Sequence, residues 1–376
     1  MKRILFTGKD HRLRRRETIL HPPKGIKFIS QQPLNEMKKD YELSGLIAKM
    51  QNSKKMQNFL NYNNIIPKKQ LKNIDLIYSP GKIILNRFPW VIEIDNVAVL
   101  TYYNLRLLRL LKPFIKLTLK SKYCKKIICI SEAAKSAMQH CFKSKKINKK
   151  ISVVYPYVKK PELSSTKQRK ITFLFISTNF YLKGGKELLI AFDQLSKKNK
   201  NIELTIITKM KDISKDHMKI IEKNSKIKLY EASFSKEDLF HKFYSKSDVF
   251  VLPTYQDSFG MVILEAISAG LACITTDLYN LPELVEEGRN GYLITPPIYY
   301  FDKKTFQPNT DAWNKDLVAY SKHEKFEKVV IQLTQKMEIM INNPKMITFM
   351  KTESKKIFNE KFAVNIRNNN LKKALV

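Results

Sequence analysis

No apolar run in the 376 residues reaches the eighteen or so needed to cross a bilayer. The opening MKRILFTGKD turns polar too soon for a secretory signal, so the expectation is a cytoplasmic protein, or one peripheral at the inner face of a membrane. Cysteine is scarce: Cys124, Cys129, Cys141 and Cys273 lack metal-ligand spacing and three of them lie in or beside apolar segments, which favours core thiols over ligands or disulfides and implies no zinc site. Zinc fingers, RNP-like aromatic motifs, solenoid-length repeats and long low-complexity tracts are all missing. Charge is then the sole support for nucleic-acid binding, and no nucleic-acid partner is expected.

Acidic residues are also few, and few chiefly in one place. The formal net charge is +35; residues 1–170 hold 38 basic and 10 acidic side chains, against 31 and 24 in the rest. An AT-rich coding bias accounts for many lysines but not for their imbalance. A basic half attracts anions, whether lipid headgroups, diphosphate-linked substrates or nucleic acid. The segment 100–123, LTYYNLRLLRLLKPFIKLTLKSKY, concentrates the question. It is either a basic amphipathic helix lying on an anionic membrane or a domain helix with a solvated cationic face and a kink at Pro113.

What is present is an alternation of strand-like and helical runs. Strands are expected at 3–7, 26–30, 74–79, 90–94, 126–131 and 151–156. After the polar segment VKKPELSSTKQRK they resume at 171–177, 202–208, 227–232, 248–253, 272–276 and 291–294. Helices between most of them predict α/β architecture with two doubly wound parallel sheets, ligands binding in a cleft at strand C-terminal ends. The expected divisions are 1–160, 161–345 and a helical tail 346–376 packing back on the first domain. Residues 296–322 read as a long irregular stretch, either a surface loop or a lid.

Within LPTYQDSFGMVILEAISAG (252–270), Glu265 is the one charge on a helix apolar on almost every side, expected to be capped by Ser258 and ended by Gly270. An unpaired buried carboxylate costs several kcal/mol, so a neighbouring side chain or a ligand must satisfy it. The helix start near Phe259, Gly260 and Met261 favours an anion, and Gly260 admits a phosphate close to the backbone. A second such start follows strand 171–177, where TNFYLKGG places Lys183 beside Gly184 and Gly185; alone, that turn is weak evidence.

Together these segments, with CKKIICISEAAKSAM and INNPKMITFMKTESKKIFNEKF, resemble the retaining glycosyltransferases of family 4, which have the GT-B fold of two Rossmann-like domains facing an interdomain cleft. The resemblance implies transfer of a sugar from a nucleotide diphosphate sugar (UDP- or GDP-linked) to a glycan or lipid-linked glycan, without metal or other cofactor. It assigns the sugar to Asp257, the ribose to Glu265 and the diphosphate to Lys183. Two departures stand out: aspartate at 257 where the family usually has glutamate, and Thr178 where it usually has the arginine that completes a cationic clamp. Arg289 is not assigned that role. A degenerate member that binds a nucleotide sugar without turnover is the alternative these departures support.

The first half is less legible. The glycine-rich acceptor loop of the family is reduced to Gly8 and Lys9. Asp95 and Asn96, at the end of WVIEI, are either acceptor contacts or turn formers. Glu93 and Asp95 form a spaced acid pair of the kind some glycosyltransferases use for metal, and no metal is assigned to it.

Overall fold

The structure, a computed structural model, describes residues 1–7, 13–30, 65–159 and 170–376. It divides into two compact units. Unit 1 comprises Met1–Tyr157, Thr305–Pro308 and Val364–Val376; unit 2 comprises Val158–Lys304 and Asn309–Ala363. The sequence grouped 346–376 as one tail, but the chain changes unit at Val364. Gly8 and Lys9 lie outside the described residues, as does most of the polar segment after Tyr157.

Each unit is built on six strands, all parallel. In unit 1 these are β1 (Lys2–Phe6), β2 (Ile26–Ser30), β3 (Leu76–Pro80), β4 (Trp90–Ile94), β5 (Cys124–Cys129) and β6 (Ile151–Val153), in the order β2-β1-β3-β4-β5-β6. In unit 2 they are β7 (Ile171–Ile176), β8 (Ile202–Thr208), β9 (Ile227–Glu231), β10 (Val249–Leu252), β11 (Ala272–Thr276) and β12 (Gly291–Ile294), in the order β12-β11-β10-β7-β8-β9. A parallel sheet covered on both faces needs apolar side chains on both, and the strands supply them. Along β4, Trp90, Ile92 and Ile94 enter one core cluster while Val91 enters the other, the two-residue alternation of a pleated strand.

Helices cover these faces. In unit 1, α1 (Leu13–Leu20), α2 (Leu105–Lys120) and α3 (Glu132–Phe142) precede the terminal α9 (Val364–Leu375); α4 (Gly185–Lys198), α5 (Lys215–Lys223), α6 (Met261–Ala269), α7 (Glu327–Asn342) and α8 (Pro344–Ile357) belong to unit 2. Leu108, Ile115 and Leu119 of α2 point into one unit 1 core; Leu371, Ala374 and Leu375 of α9 complete the other. All four cysteines are free and buried, and burial pushes the Cys124 thiol up to about 12, as suits core packing.

The stretch 296–322 is irregular as far as Asn309 and largely helical after it. It carries short helices at Thr310–Trp313 and Leu317–His323, and Tyr300 stacks on Trp313 at 4.3 Å while Phe301 stacks on Tyr279 at 4.0 Å. Four of its residues, Thr305–Pro308, belong to unit 1, where Gln307 donates to the Ala137 carbonyl at 2.6 Å. Aromatic stacking of this kind fixes a segment that composition alone reads as loop.

Candidate active site

The order of the second sheet sets the site's position. From β7 the chain winds outward through β8 and β9, then returns to the other side of β7 as β10. Successive loops therefore diverge from the C-terminal ends of β7 and β10, the switch point where open α/β sheets leave a crevice. Both loops carry residues singled out in the sequence. Lys183 and Gly184 lie between β7 and α4, which Gly185 begins; Asp257, Ser258, Phe259 and Gly260 lie between β10 and α6.

Backbone and side-chain bonds stitch the loops together. Tyr255 N–H donates to the Leu182 carbonyl at 3.1 Å, and the Lys183 ammonium reaches the Gln256 carbonyl and, at 2.8 Å, Asp257 Oδ2. Gly184 makes the approach feasible. Its φ is +72°, and a Cβ there would stand 2.3 Å from the Pro253 carbonyl oxygen. Gly185 opens α4 packed against Phe180, so the glycines that suggested a phosphate turn also serve loop-to-loop packing.

Asp257 is the hub. Oδ1 accepts from the N–H groups of Phe259 at 3.0 Å and Gly260 at 2.7 Å, and Oδ2 faces Lys183. Burial works against its charge, but Lys183 and the two N–H groups prevail and hold the carboxyl below the usual aspartate range. The capping role expected of Ser258 is not filled by a side chain: Gly260 is the cap, and Asp257 closes the turn that leads into it. The helix begins only after Gly260, whose φ of +83° lets the chain turn into α6, and Ser258 caps nothing. Met261 and Val262, the first residues of α6, are half-buried, and α6 ends at Gly270 as expected. Lys183 and Asp257 remain 20% and 17% exposed, so both are reachable from solvent. Thr178, in the same β7–α4 loop, is exposed.

Glu265 is 5% exposed. Tyr244 O–H donates to its Oε2 at 3.2 Å, and burial together with this carboxylate raises the tyrosine pKa well above its ordinary value, which keeps the proton on the phenol. The Lys236 ammonium stands 3.6 Å from Oε1, an ion pair without a hydrogen bond. Of the two ways of satisfying the lone acid, the neighbouring side chain is present. Tyr244 and Lys236 were missed because they lie on another segment, and pairing across 21 and 29 residues leaves no local pattern in a sequence.

A second polar cluster was also missed. Lys186 and Glu187 at the start of α4 are buried, with Lys186 Nζ donating to the carbonyls of Ser321, at 2.8 Å, and Glu324 and standing 3.2 Å from Glu187 Oε1. Burial raises the Glu187 pKa. The only sequence signal was two charges following a glycine pair. Arg289 is committed elsewhere: it pairs with Glu353 at 2.8 Å, Glu286 at 3.0 Å and Glu360 at 3.6 Å.

In unit 1, Asp95 and Asn96 are each 1% exposed. Asp95 accepts from Tyr103 O–H at 3.0 Å and from the Asn96 N–H at 2.8 Å; Asn96 Oδ1 caps the following turn through Ala98 N–H at 3.0 Å. These are the bonds of turn formers. Glu93 accepts from Tyr78 O–H at 2.6 Å. Among the described residues, no group of three His, Cys, Asp or Glu side chains is placed to hold a metal ion.

Residues 159–300, which contain both loops, match the family model described as Glycosyl transferases group 1. Among curated proteins, an uncharacterized glycosyltransferase of Haemophilus influenzae is 26% identical over 200 residues, covering 50% of this chain and 51% of that one. A probable sucrose-phosphate synthase of Thermosipho melanesiensis is 26% identical over 144 residues, 38% of this chain and 32% of that one. The chain spans about half or less of the length of these relatives. Solved structures match throughout: a glycosyltransferase from Rickettsia africae at TM-score 0.65 and 12% identity, covering 99% and 97% of the two chains, and Anabaena HepE in complex with UDP at TM-score 0.59 and 15% identity, covering 100% and 99%. The two parallel six-stranded sheets with flanking helices are the architecture of these GT-B glycosyltransferase structures.

Proposed function

We propose that the chain is a glycosyltransferase whose second unit binds a nucleotide diphosphate sugar and transfers its sugar, with retention of configuration, to a glycan or lipid-linked glycan. The observation that carries this reading is the joining of Lys183 and Asp257 across the loops at the β7/β10 switch point, inside the segment that matches the family model. HepE, a structural neighbour, is described in complex with UDP and with UDP-glucose, which favours a UDP-linked donor here.

In this reading the Asp257 carboxylate and a diphosphate share one positive site. Lys183 and the Phe259 and Gly260 N–H groups form a fixed set of donors at a helix start. As the glycosidic bond breaks, the leaving diphosphate gains negative charge; Lys183 and the helix start stabilise it while the sugar acquires oxocarbenium character. Asp257 is then free to contact the sugar. Glu265 is assigned the ribose hydroxyls, with Tyr244 and Lys236 holding its carboxylate in place. No divalent ion is given a role.

Thr178 favours a second reading, binding without turnover, because a hydroxyl donates one hydrogen bond but cannot offset phosphate charge. A thermal-shift panel of UDP, GDP, ADP and their sugars tests the first step. A ligand of the folded state present at a hundred times its Kd adds about 2.7 kcal/mol of apparent stability. A rise with one nucleotide family supports the donor site; no rise with any overturns it. Release of nucleotide from the donor that binds separates transfer or hydrolysis from silent binding.

A further inference from the structure

Helix α2 has two apolar stripes where a globular domain needs one. Leu108, Ile115 and Leu119 form the inner stripe and pack into the unit 1 core. Leu110, Phe114 and Leu117, spaced i, i+4, i+7, form a second stripe facing outward, and they are 75%, 43% and 70% exposed. Singly exposed leucines are ordinary; three on one helical stripe leave a continuous apolar ridge in water.

The ridge lies in a field of one sign. Between Asp95 and Glu132 the chain has eight Lys or Arg residues and no Asp or Glu. Arg106, Arg109 and Lys112 are exposed on α2 itself, and Lys116 and Lys120 are half-buried beside them. The short helix Lys145–Asn148, which packs against α2, adds exposed Lys145 and Lys146.

We propose that the outer face of α2 docks on an anionic phospholipid surface, with Leu110, Phe114 and Leu117 entering the headgroup boundary and the surrounding cations facing lipid phosphates. The two features together select this occupant. A nucleic acid would use the cations but offers nothing to the ridge; a second copy would cover the ridge but brings the same positive charge to it. The proposal goes beyond the transferase reading and does not depend on it, since the donor loops lie in unit 2.

Flotation of the full chain with vesicles tests it. Vesicles of phosphatidylcholine mixed with phosphatidylglycerol should carry the protein and phosphatidylcholine alone should not, and high salt should release it. Arg106→Gln with Arg109→Gln should weaken binding roughly thirtyfold, in line with about 1 kcal/mol for each cation near such a surface, and separately Leu110→Ser with Leu117→Ser should weaken it at least as much. All four side chains are exposed or nearly so, and an unchanged Tm and nucleotide thermal shift should confirm that the fold is intact. Binding of both variants at the unmodified level, or equal recovery on both vesicle types, overturns the proposal. So does a dimer in solution that the leucine variant dissociates while no vesicle binding is seen, or tight binding to a single-stranded DNA oligonucleotide with none to vesicles.

Discussion

The two sheets share one architecture and use the C-terminal ends of their strands in opposite ways. In unit 2 the charged residues after β7 and β10, Lys183 and Asp257, meet across two loops and stay a fifth exposed. In unit 1 the polar residues after β4, Asp95 and Asn96, turn inward and are consumed by Tyr103 and by a local cap. The difference teaches that a polar pair at a strand end is not a site by position alone. It becomes one where its partners come from a second loop and where water, or a ligand, still reaches it. Unit 1 instead exposes its chemistry on the outer face of α2.

If unit 1 is a scaffold at these positions, damage to it should change stability and leave nucleotide binding alone. The largest effect is expected from Leu371→Ala, which opens a cavity beneath α9 in the unit 1 core. A loss of about 2–5 kcal/mol is typical of such a truncation, read as a lower denaturation midpoint with an unchanged thermal shift by UDP. Gly184→Ala probes the other side of the comparison. The left-handed backbone costs an alanine about 1–2 kcal/mol, and the clash with Pro253 adds to it by pushing the two donor loops apart. Here stability and nucleotide affinity should fall together. Asn96→Ala removes one cap in unit 1 and should cost about 1 kcal/mol with no change in affinity. If it abolishes nucleotide binding or transfer, the contrast between the sheets is wrong.

The smallest effect is one of pH. Because the folded protein holds Asp257 below the usual aspartate pKa, its contribution is present above the unfolded value, about 3.9, and is lost as pH falls through the lower folded value. The stability advantage of the unmodified chain over Asp257→Asn should therefore shrink as the solution is acidified below about pH 4. Glu187, raised by burial, acts in the reverse direction and is common to both proteins, so it drops out of the difference.

Much of this was legible in the residues. All twelve expected strands are present, because strands buried on both faces are short, continuous apolar runs between turn residues, and GYLI or ACITT has few other ways to fold. The break between α7 and α8 falls at Asn343 and Pro344, a capping residue followed by a proline suited to a first helical turn. The shift of the α6 cap from Ser258 to Gly260 was not legible, since it rests on the positive φ of Gly260, which no residue pattern shows. Nor was the order of strands, which side-chain pattern does not encode. Lys236 and Tyr244 were hidden by their distance along the chain from Glu265. The short helices at the end of 296–322 were not legible either, since that stretch is held by Tyr300, Phe301 and Trp313 stacking across a proline-containing, polar segment.

The account rests on Lys183 exchanging Asp257 for a diphosphate. Calorimetric titration of UDP and GDP into the unmodified chain and into Lys183→Ala tests that exchange. A hydrogen bond to a charged group is worth about 1.5–3 kcal/mol, so the bound nucleotide should lose roughly 10- to 100-fold in affinity in the variant, measured at a temperature where both proteins are folded. Equal affinity in the two proteins would contradict it.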